Sequence, residues 1–474
     1  MKENKNIFIL AGPIVFTILF LIGPPESLNK ESFGLLLTVV WMAIWWITEA
    51  IPIGVTSLLP IVLFPILGIM DLSITAESYG NKIIFLFIGG FILALAVEKW
   101  NLHKRIALSI ISIIGTNISN VMLGFMLATA FLSMWISNTA TTVMMLPIAL
   151  SVIAQFKTEN EETATTFGKA LMLSIAFSAS IGGLGTLIGT PPNLIFASFV
   201  QENYGIEISF VQWMKIGIPI SLSLLFLAWI YLTKFAFTFK TAKVSIKKNE
   251  LSDQLKKLGP MSWEEKWVLL VFTVTVFCWI TRSFLLNLFI PKIDDTIIAI
   301  CAAILLFILP SNEKNRKLMS WNDALKLPWG ILLLFGGGLA IASGFKTTGL
   351  AVWVGNQLSI FEGISLILIV LLTITMVNFL TEVTSNLATT SMLLPIMAPL
   401  ALAINVDVYT LMICTTLAAS CAFMLPVATP PNAVVFGSKL LKISEMAKVG
   451  FWMNILSIVI LTLLVYYYLP LVWN

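Results

Sequence analysis

Apolar runs long enough to cross a lipid bilayer recur along this 474-residue chain from residue 7 to residue 470. A bilayer's hydrocarbon core is about 30 Å thick, so a crossing helix needs roughly 20 mostly apolar residues. In that medium only helices or closed barrels satisfy their own backbone hydrogen bonds. Segments 7–23, 33–50, 52–70, 83–98, 169–200, 213–234, 266–286, 296–310, 329–345, 409–437 and 449–470 predict about eleven transmembrane helices in an all-α polytopic membrane protein. The first run lacks a small-residue cleavage site and reads as a retained helix rather than a signal peptide. Residues 106–116 follow a basic connection and are too short to cross, so they read as a helix near the membrane surface. With 58% hydrophobic residues, 11% charged and a mean hydropathy of +0.97, a set of soluble domains is excluded.

Two further apolar stretches, 119–156 and 365–404, carry polar centres and read either as pairs of spans or as re-entrant helical hairpins. Charge separates the two readings. With both stretches re-entrant and the N-terminus inside, 22 of the 28 Lys and Arg residues fall on the cytoplasmic side, and only Lys30, Lys82, Lys215, Arg282, Lys292 and Lys346 fall outside. That asymmetry is what the positive-inside rule requires, and it leaves the C-terminal Asn474 outside. The long polar segment 238–265, rich in lysine, reads as a cytoplasmic linker beside anionic membrane lipid.

Several function classes drop out early. A dispersed net charge of +4 is too small for nucleic-acid binding, which depends on phosphate neutralisation. The four cysteines (Cys278, Cys301, Cys414 and Cys421) show no metal-site spacing, and His103 is the single histidine. Neither His nor Lys stands near Ser137 or Ser385 to activate a nucleophile, so the chain does not read as an enzyme.

The chain is internally duplicated. Residues 137–148 (SNTATTVMMLPI) match 385–396 (SNLATTSMLLPI) at nine of twelve positions, at an offset of 248. At that offset Phe87, Gly89 and Gly90 align with Phe335, Gly337 and Gly338, and Thr190-Pro191-Pro192-Asn193 recurs as Thr429-Pro430-Pro431-Asn432 at an offset of 239. With the orientation above, one hairpin opens inward and the other outward. Inverted repeats with broken helices are characteristic of secondary transporters.

Each landmark has a physical role at membrane depth. Thr before Pro-Pro cannot lie inside a continuous helix, but threonine suits an N-cap and proline a first turn, so each span should split there and aim a new helix start into the protein. The Ser-Asn tips add two more starts, and four positive helix ends make an anion site. No Lys or Arg occurs in 119–153, 170–200, 365–404 or 409–437. Helix dipoles supply ~1 kcal/mol each, too little for a dianion, so co-bound cations are expected, with hydroxyl, amide and carbonyl oxygens as ligands for Na⁺. Moving a dianion inward against 100 mV costs about 4.6 kcal/mol. Two Na⁺ cancel that, and a third makes the potential a driving force.

These motifs resemble those of the divalent anion/sodium symporter family, which includes Na⁺/dicarboxylate and Na⁺/citrate cotransporters. The resemblance rests on Lys99 to Arg105 (KWNLHKR), Ser133 to Thr139 (SMWISNT), Gly189 to Asn193 (GTPPN), Thr384-Ser385-Asn386 and Ala428 to Asn432 (ATPPN), and it runs nearly the whole chain. It implies Na⁺-coupled symport of C4-dicarboxylates such as succinate, malate and fumarate by a homodimer in a bacterial inner membrane. A scaffold (1–105 and 266–361) would hold a transport domain (106–237 and 362–474) that moves like an elevator. It further implies one Na⁺ around Ser133, Ser137, Asn138 and Gly189, another around Thr381, Thr384, Asn386 and Ala428, and substrate at Asn138, Thr139, Thr190, Pro191, Ser385, Asn386, Thr429 and Pro430. A Na⁺-independent dicarboxylate exchanger, or a citrate or sulfate carrier, is the alternative.

One departure stands out. Leu387 takes the place of Thr139 in the second motif, which bears on substrate choice. Isolated hydroxyls such as Thr129 and Thr375 read as hydrogen bonds between helices. The Gly89-Gly90 and Gly336 to Gly338 groups read as close packing, and His103 as part of a surface connection. Glu382, inside the second hairpin, is open to three readings: functional, structurally hydrogen-bonded, or exposed to an outer vestibule.

Overall fold

The structure is a computed structural model that describes residues 5–114, 117–156, 161–237, 239, 255–312 and 316–473. Most of the expected linker, 238–265, lies outside them. Among the described residues the architecture is helical, with one isolated bridge between Pro310 and Lys317.

The first half runs through α1 (Lys5–Ile22), α2 (Lys30–Thr48), α3 (Ile53–Thr56), α4 (Leu59–Ile66), α5 (Leu72–Glu77), α6 (Lys82–Lys99) and α7 (Leu102–Ile114). It continues as α8 (Ile118–Ser133), α9 (Asn138–Phe156), α10 (Glu161–Gly183), α11 (Pro191–Tyr204) and α12 (Phe210–Ile230). The second half has α13 (Trp263–Thr281), α14 (Asp295–Ile308), α15 (Trp329–Thr348), α16 (Leu350–Leu358), α17 (Leu366–Thr381), α18 (Asn386–Ala403), α19 (Val408–Ala419), α20 (Pro430–Phe436) and α21 (Ile443–Leu463).

Eight helices among the described residues are long and apolar enough to cross a membrane. A ninth is added if Leu350–Phe361 and Leu366–Thr381, bent by 115° at the break between them, count as one span. The expected pass at 52–70 is two pieces, α3 and α4, with Pro60 in the first turn of the second. The Ser57 carbonyl at that break accepts from the Tyr79 hydroxyl, so an irregular backbone stays satisfied. The expected pass at 296–310 is a 14-residue helix, α14, started by Asp294, whose side chain accepts from Ile297 N at 2.8 Å. Residues 102–114 do form a helix, and it buries His103, Ala107 and Ile111 at helical spacing along one face.

Repeat-related residues meet in the interior. The rings of Phe87 and Phe335 lie 4.3 Å apart. A Cβ on Gly89 would come within 2.6 Å of the Ala299 backbone, and one on Gly337 within 2.5 Å of Ser57 O. Both glycines are therefore points of close helix approach, as the small-residue pattern implies. Each half's helix after the tip packs against the other half's broken helix: α9 against α20, and α18 against α11.

Candidate functional site

The Ser-Asn tips and Thr-Pro-Pro breaks build the site from short helix ends. In the first half α8 stops at Ser133 and α9 starts at Asn138; in the second α17 stops at Thr381 and α18 starts at Asn386. Ser137 Oγ accepts from Ala140 N at 3.2 Å and so closes the first turn of α9.

The breaks occur where proline requires them. α10 ends at Gly183 and α11 resumes at Pro191, while α19 ends at Ala419 and α20 resumes at Pro430. Thr190 and Thr429 share an extended backbone (φ −141° and −140°), but their side chains differ. Thr429 Oγ1 accepts from Asn432 N at 3.3 Å, whereas Thr190 makes no such capping bond, contrary to the expectation for that residue.

The asparagine that closes each Thr-Pro-Pro-Asn motif ties its break together. Asn193 Nδ2 donates to Gly183 O (3.0 Å) and Thr186 O (2.7 Å), and Asn432 Nδ2 donates to Ala422 O (3.3 Å) and Leu425 O (3.0 Å). Broken helices leave carbonyls that need donors at this depth. The duplication of this asparagine was the available signal for its role.

Two buried oxygen sets lie where tip meets break. Ser133 Oγ is 2.6 Å from Asn138 Oδ1 and 2.7 Å from Ala179 O. Thr381 Oγ1 is 2.8 Å from Asn386 Oδ1 and 2.9 Å from Ala419 O. A hydroxyl has one proton and cannot serve two acceptors at once, so the second set crowds oxygens that lack enough donors. The same end of the Asn138 amide also lies 3.2 Å from Ala179 O and 3.3 Å from Gly189 O. Its neighbours favour the nitrogen at that end, where its two N–H bonds meet three nearby oxygens; with its oxygen turned there instead, the group is a cage of hard neutral oxygens. Such ligands suit a hard cation. A Cβ on Gly183 would sit 2.8 Å from Asn138 Oδ1 and 3.2 Å from Gly189 O, so a residue with no side chain lets this set close up.

The structure thus brings together Ser133, Asn138 and Gly189 in one half, and Thr381 and Asn386 in the other. It adds two carbonyls, Ala179 O and Ala419 O, that the sequence reading missed. The other three expected cation ligands make bonds of their own. Ser137 caps α9, Thr384 Oγ1 bonds Leu380 O (2.9 Å) and the Thr389 hydroxyl, and Ala428 N bonds Leu425 O (3.2 Å).

Among the expected substrate contacts, Asn138, Thr139, Pro191, Ser385 and Asn386 are half-buried, Pro430 is exposed, and Thr190 and Thr429 are buried at the turn into their helices. Leu387 is half-buried beside Asn386. Across the halves, Phe177 of α10 packs edge-on against Phe423 of the second break at 5.0 Å.

Other candidates resolve. Thr129 and Thr375 do not bond between helices as expected: each hydroxyl donates to the carbonyl one turn back in its own helix, Phe125 O and Leu371 O. His103 is buried rather than at a surface, its Nδ1 2.9 Å from Val97 O, and burial holds its imidazole below the ordinary histidine value. Glu382 is buried as well, and every bond it makes is structural. A cavity of about 820 Å³ lies elsewhere, lined by Lys169, Tyr231, Glu445, Lys448 and Trp452 among others, and by none of the tip or break residues. Among the described residues no three His, Cys, Asp or Glu side chains cluster as a metal site.

The chain matches the family model for the sodium:sulfate symporter transmembrane region over residues 3–474. It is 47% identical over 487 residues to the sodium-dependent dicarboxylate transporter SdcS of Staphylococcus saprophyticus, covering 99% of this chain and 93% of that one. It is also 47% identical over 480 residues to the protein of the same name from Staphylococcus aureus strain RF122, covering 99% and 92%. Two solved structures share the fold at low identity. The Alcanivorax borkumensis YdaH transporter aligns with TM-score 0.58 and 11% identity over 94% of this chain and 99% of that one. Neisseria gonorrhoeae MtrF aligns with TM-score 0.57 and 12% identity over 95% and 98%.

Proposed function

This chain belongs to the sodium:sulfate symporter family, and from that premise we propose that it is a secondary active transporter carrying C4-dicarboxylates (succinate, malate or fumarate) together with Na⁺. The relatives at 47% identity bear the name sodium-dependent dicarboxylate transporter. The observation that carries the reading is the duplicated grouping of a buried hydroxyl with an asparagine amide and a backbone carbonyl, at Ser133 and again at Thr381, all within 2.9 Å. Cations bound there would screen those oxygens from one another and offset the charge of a dianion held between the tips.

The dicarboxylate would sit against Asn138, Thr139, Ser385 and Asn386 from the tips, and Thr190, Pro191, Thr429 and Pro430 from the breaks. The helix starts at the tips would supply free N–H groups, whereas those at the breaks open with Pro-Pro, which has none, and would contribute their dipoles. Co-transport also meets the electrical demand, because two Na⁺ cancel the charge of the dianion and a third lets an inside-negative potential drive uptake.

The finer architecture belongs to the same proposal. Two re-entrant hairpins of opposite orientation and about eleven passes account for the charge asymmetry. The contact of Phe87 with Phe335 supports a twofold relation between the halves, since equivalent residues meet at a twofold axis. A scaffold of 1–105 and 266–361, a transport domain of 106–237 and 362–474 moving as an elevator, and a homodimer rest on the family resemblance. So does placement in a bacterial inner membrane. The positive-inside count supports a cytoplasmic N-terminus and an external C-terminus.

The test is radiolabelled succinate uptake into proteoliposomes, with and without a Na⁺ gradient and with or without internal dicarboxylate. Symport gives uptake that needs external Na⁺ and no internal substrate. Uptake that ignores Na⁺ and requires preloaded dicarboxylate would establish exchange instead. Stronger competition by sulfate or citrate than by malate would move the substrate class.

A further inference from the structure

The two breaks satisfy their backbone in different ways. In the first, Leu184 N and Gly185 N close turns on Ile181 O (3.2 Å) and Gly182 O (2.9 Å), within a stretch that holds Gly182, Gly183 and Gly185. The second break has no glycine between Ser420 and Thr429. There the N–H groups of Phe423 and Met424 donate to Glu382 Oε1 at 2.7 and 2.9 Å, and that of Leu425 donates to Oε2 at 3.0 Å. Asn454 Nδ2 adds a fourth donor to Oε1 at 2.8 Å.

Carbonyls of the same stretch are held by amides. Asn432 Nδ2 reaches Ala422 O and Leu425 O, and Asn378 Nδ2 reaches Cys421 O at 2.6 Å. Glu382 is 3% exposed. Its four partners are all donors, the set that an ionised carboxylate accepts in full. No Lys or Arg occurs in 365–404 or 409–437 to pair with it. At the corresponding place in the first half, 248 residues earlier, stands Met134, which has no charge.

Glu382 follows Thr381 directly, and the stretch it holds begins four residues after Ala419. Those two residues form the second oxygen set with Asn386. We propose that Glu382 is a positioning residue for this second set: its carboxylate moulds the glycine-free break so that Ala419 O faces Thr381, and its negative charge, with no ion-pair partner among the described residues, makes this set fill with Na⁺ at a lower concentration than the first. A charge in a poorly screened interior acts over several ångströms, and in the pair of half-sites only this one has it. The inference rests on the Na⁺-coupled reading above and assigns an order to its two sites.

The experiment compares the full-length protein with Glu382→Gln and Glu382→Asp in proteoliposomes, reading the Na⁺ activation of radiolabelled succinate uptake. Glutamine keeps the shape, removes the charge and turns an NH₂ group toward backbone N–H groups. The concentration of Na⁺ giving half-maximal uptake is expected to rise at least about tenfold, while saturating Na⁺ restores most of the rate. Aspartate, which keeps the charge, recovers much of the Na⁺ affinity. A purely structural role would lower yield and maximal rate in both variants without moving the half-activating Na⁺ concentration, and that result overturns the proposal.

Amide exchange in the unmutated protein is the second measurement, and it does not depend on the variants folding. Residues 423–425 are expected to exchange as slowly as α19 even without Na⁺; exchange at the rate of an open loop overturns the moulding role. Unmutated protein whose uptake ignores Na⁺ would refute the transport reading itself, while the exchange data still decide whether Glu382 holds the break.

Discussion

Thr381→Val keeps a branched side chain and removes one oxygen from the second set. That oxygen stands 2.8 Å from Asn386 Oδ1 and 2.9 Å from Ala419 O. Without a cation the change forfeits the one hydrogen bond its proton can make, about 1 kcal/mol. With Na⁺ bound it removes a contact to a full charge, about 1.5–3 kcal/mol on the scale of hydrogen bonds to charged groups. The difference, roughly 0.5–2 kcal/mol, corresponds to a rise of about 2- to 30-fold in the half-activating Na⁺ concentration. Ser133→Ala should do the same from the other half, where the hydroxyl lies 2.6 Å from the Asn138 amide and 2.7 Å from Ala179 O. The two sets share no residue, so the double variant should shift by the product of the single effects. The assay is Na⁺ activation of succinate uptake at saturating succinate, normalised to inserted protein. If both single variants superimpose on the unmutated curve, the oxygen sets do not bind the coupling ion and the reasoning fails.

Three other outcomes follow from the same geometry. Gly183→Ala places a methyl group 2.8 Å from the Asn138 amide and 3.2 Å from Gly189 O, so Na⁺-dependent uptake should fall at least about tenfold with little change in membrane yield; unaffected uptake would remove Gly189 from the site. Leu387→Thr restores the hydroxyl that Thr139 has in the first tip, and should change the ranking of succinate, malate and citrate as competitors more than it changes Na⁺ dependence; an unchanged ranking would place that residue outside the pocket. Burial keeps His103 below its ordinary value, so unfolding takes up a proton: its contribution is complete above about pH 6.5 and declines as pH falls through that value toward the folded one. Thermal unfolding in detergent should therefore lose less stability between about pH 8 and pH 5 in His103→Gln than in the unmutated protein, and equal losses would refute that assignment.

The duplicated tips and breaks were legible in the sequence because each needs a side chain with a particular physical role. Proline ends a helix, Ser and Thr cap one, and an exact recurrence at fixed offset marks a repeated unit. The structure places Ser133 beside Asn138 and Thr381 beside Asn386, residues that only the family resemblance had grouped. What the sequence reading missed was supplied by the backbone. Ala179 O and Ala419 O come from residues 46 and 38 positions away from their hydroxyl partners, and a carbonyl oxygen leaves no signature in residue type. The missing cap at Thr190 and the burial of His103 also depend on tertiary neighbours rather than on local pattern.

Helix lengths were misjudged for a related reason. Hydropathy runs straight through Ser57, and only the acceptance of the Tyr79 hydroxyl by its carbonyl shows how a break is tolerated there. Glu382 is the clearest case of partial legibility. Its position in a hairpin signalled importance, but the three amides it binds lie 41 to 43 residues further along a glycine-free segment whose conformation the sequence does not encode locally.

Equilibrium binding of radiolabelled succinate to the purified protein, measured across a Na⁺ titration at constant ionic strength with choline as the replacement cation, tests the joint occupancy of anion and cation most directly. Linkage requires that if Na⁺ strengthens succinate binding, succinate strengthens Na⁺ binding by the same factor. The account predicts succinate affinity that climbs steeply with Na⁺, with Ser133→Ala and Thr381→Val each flattening the climb. Succinate affinity that stays constant from zero to saturating Na⁺ would contradict it.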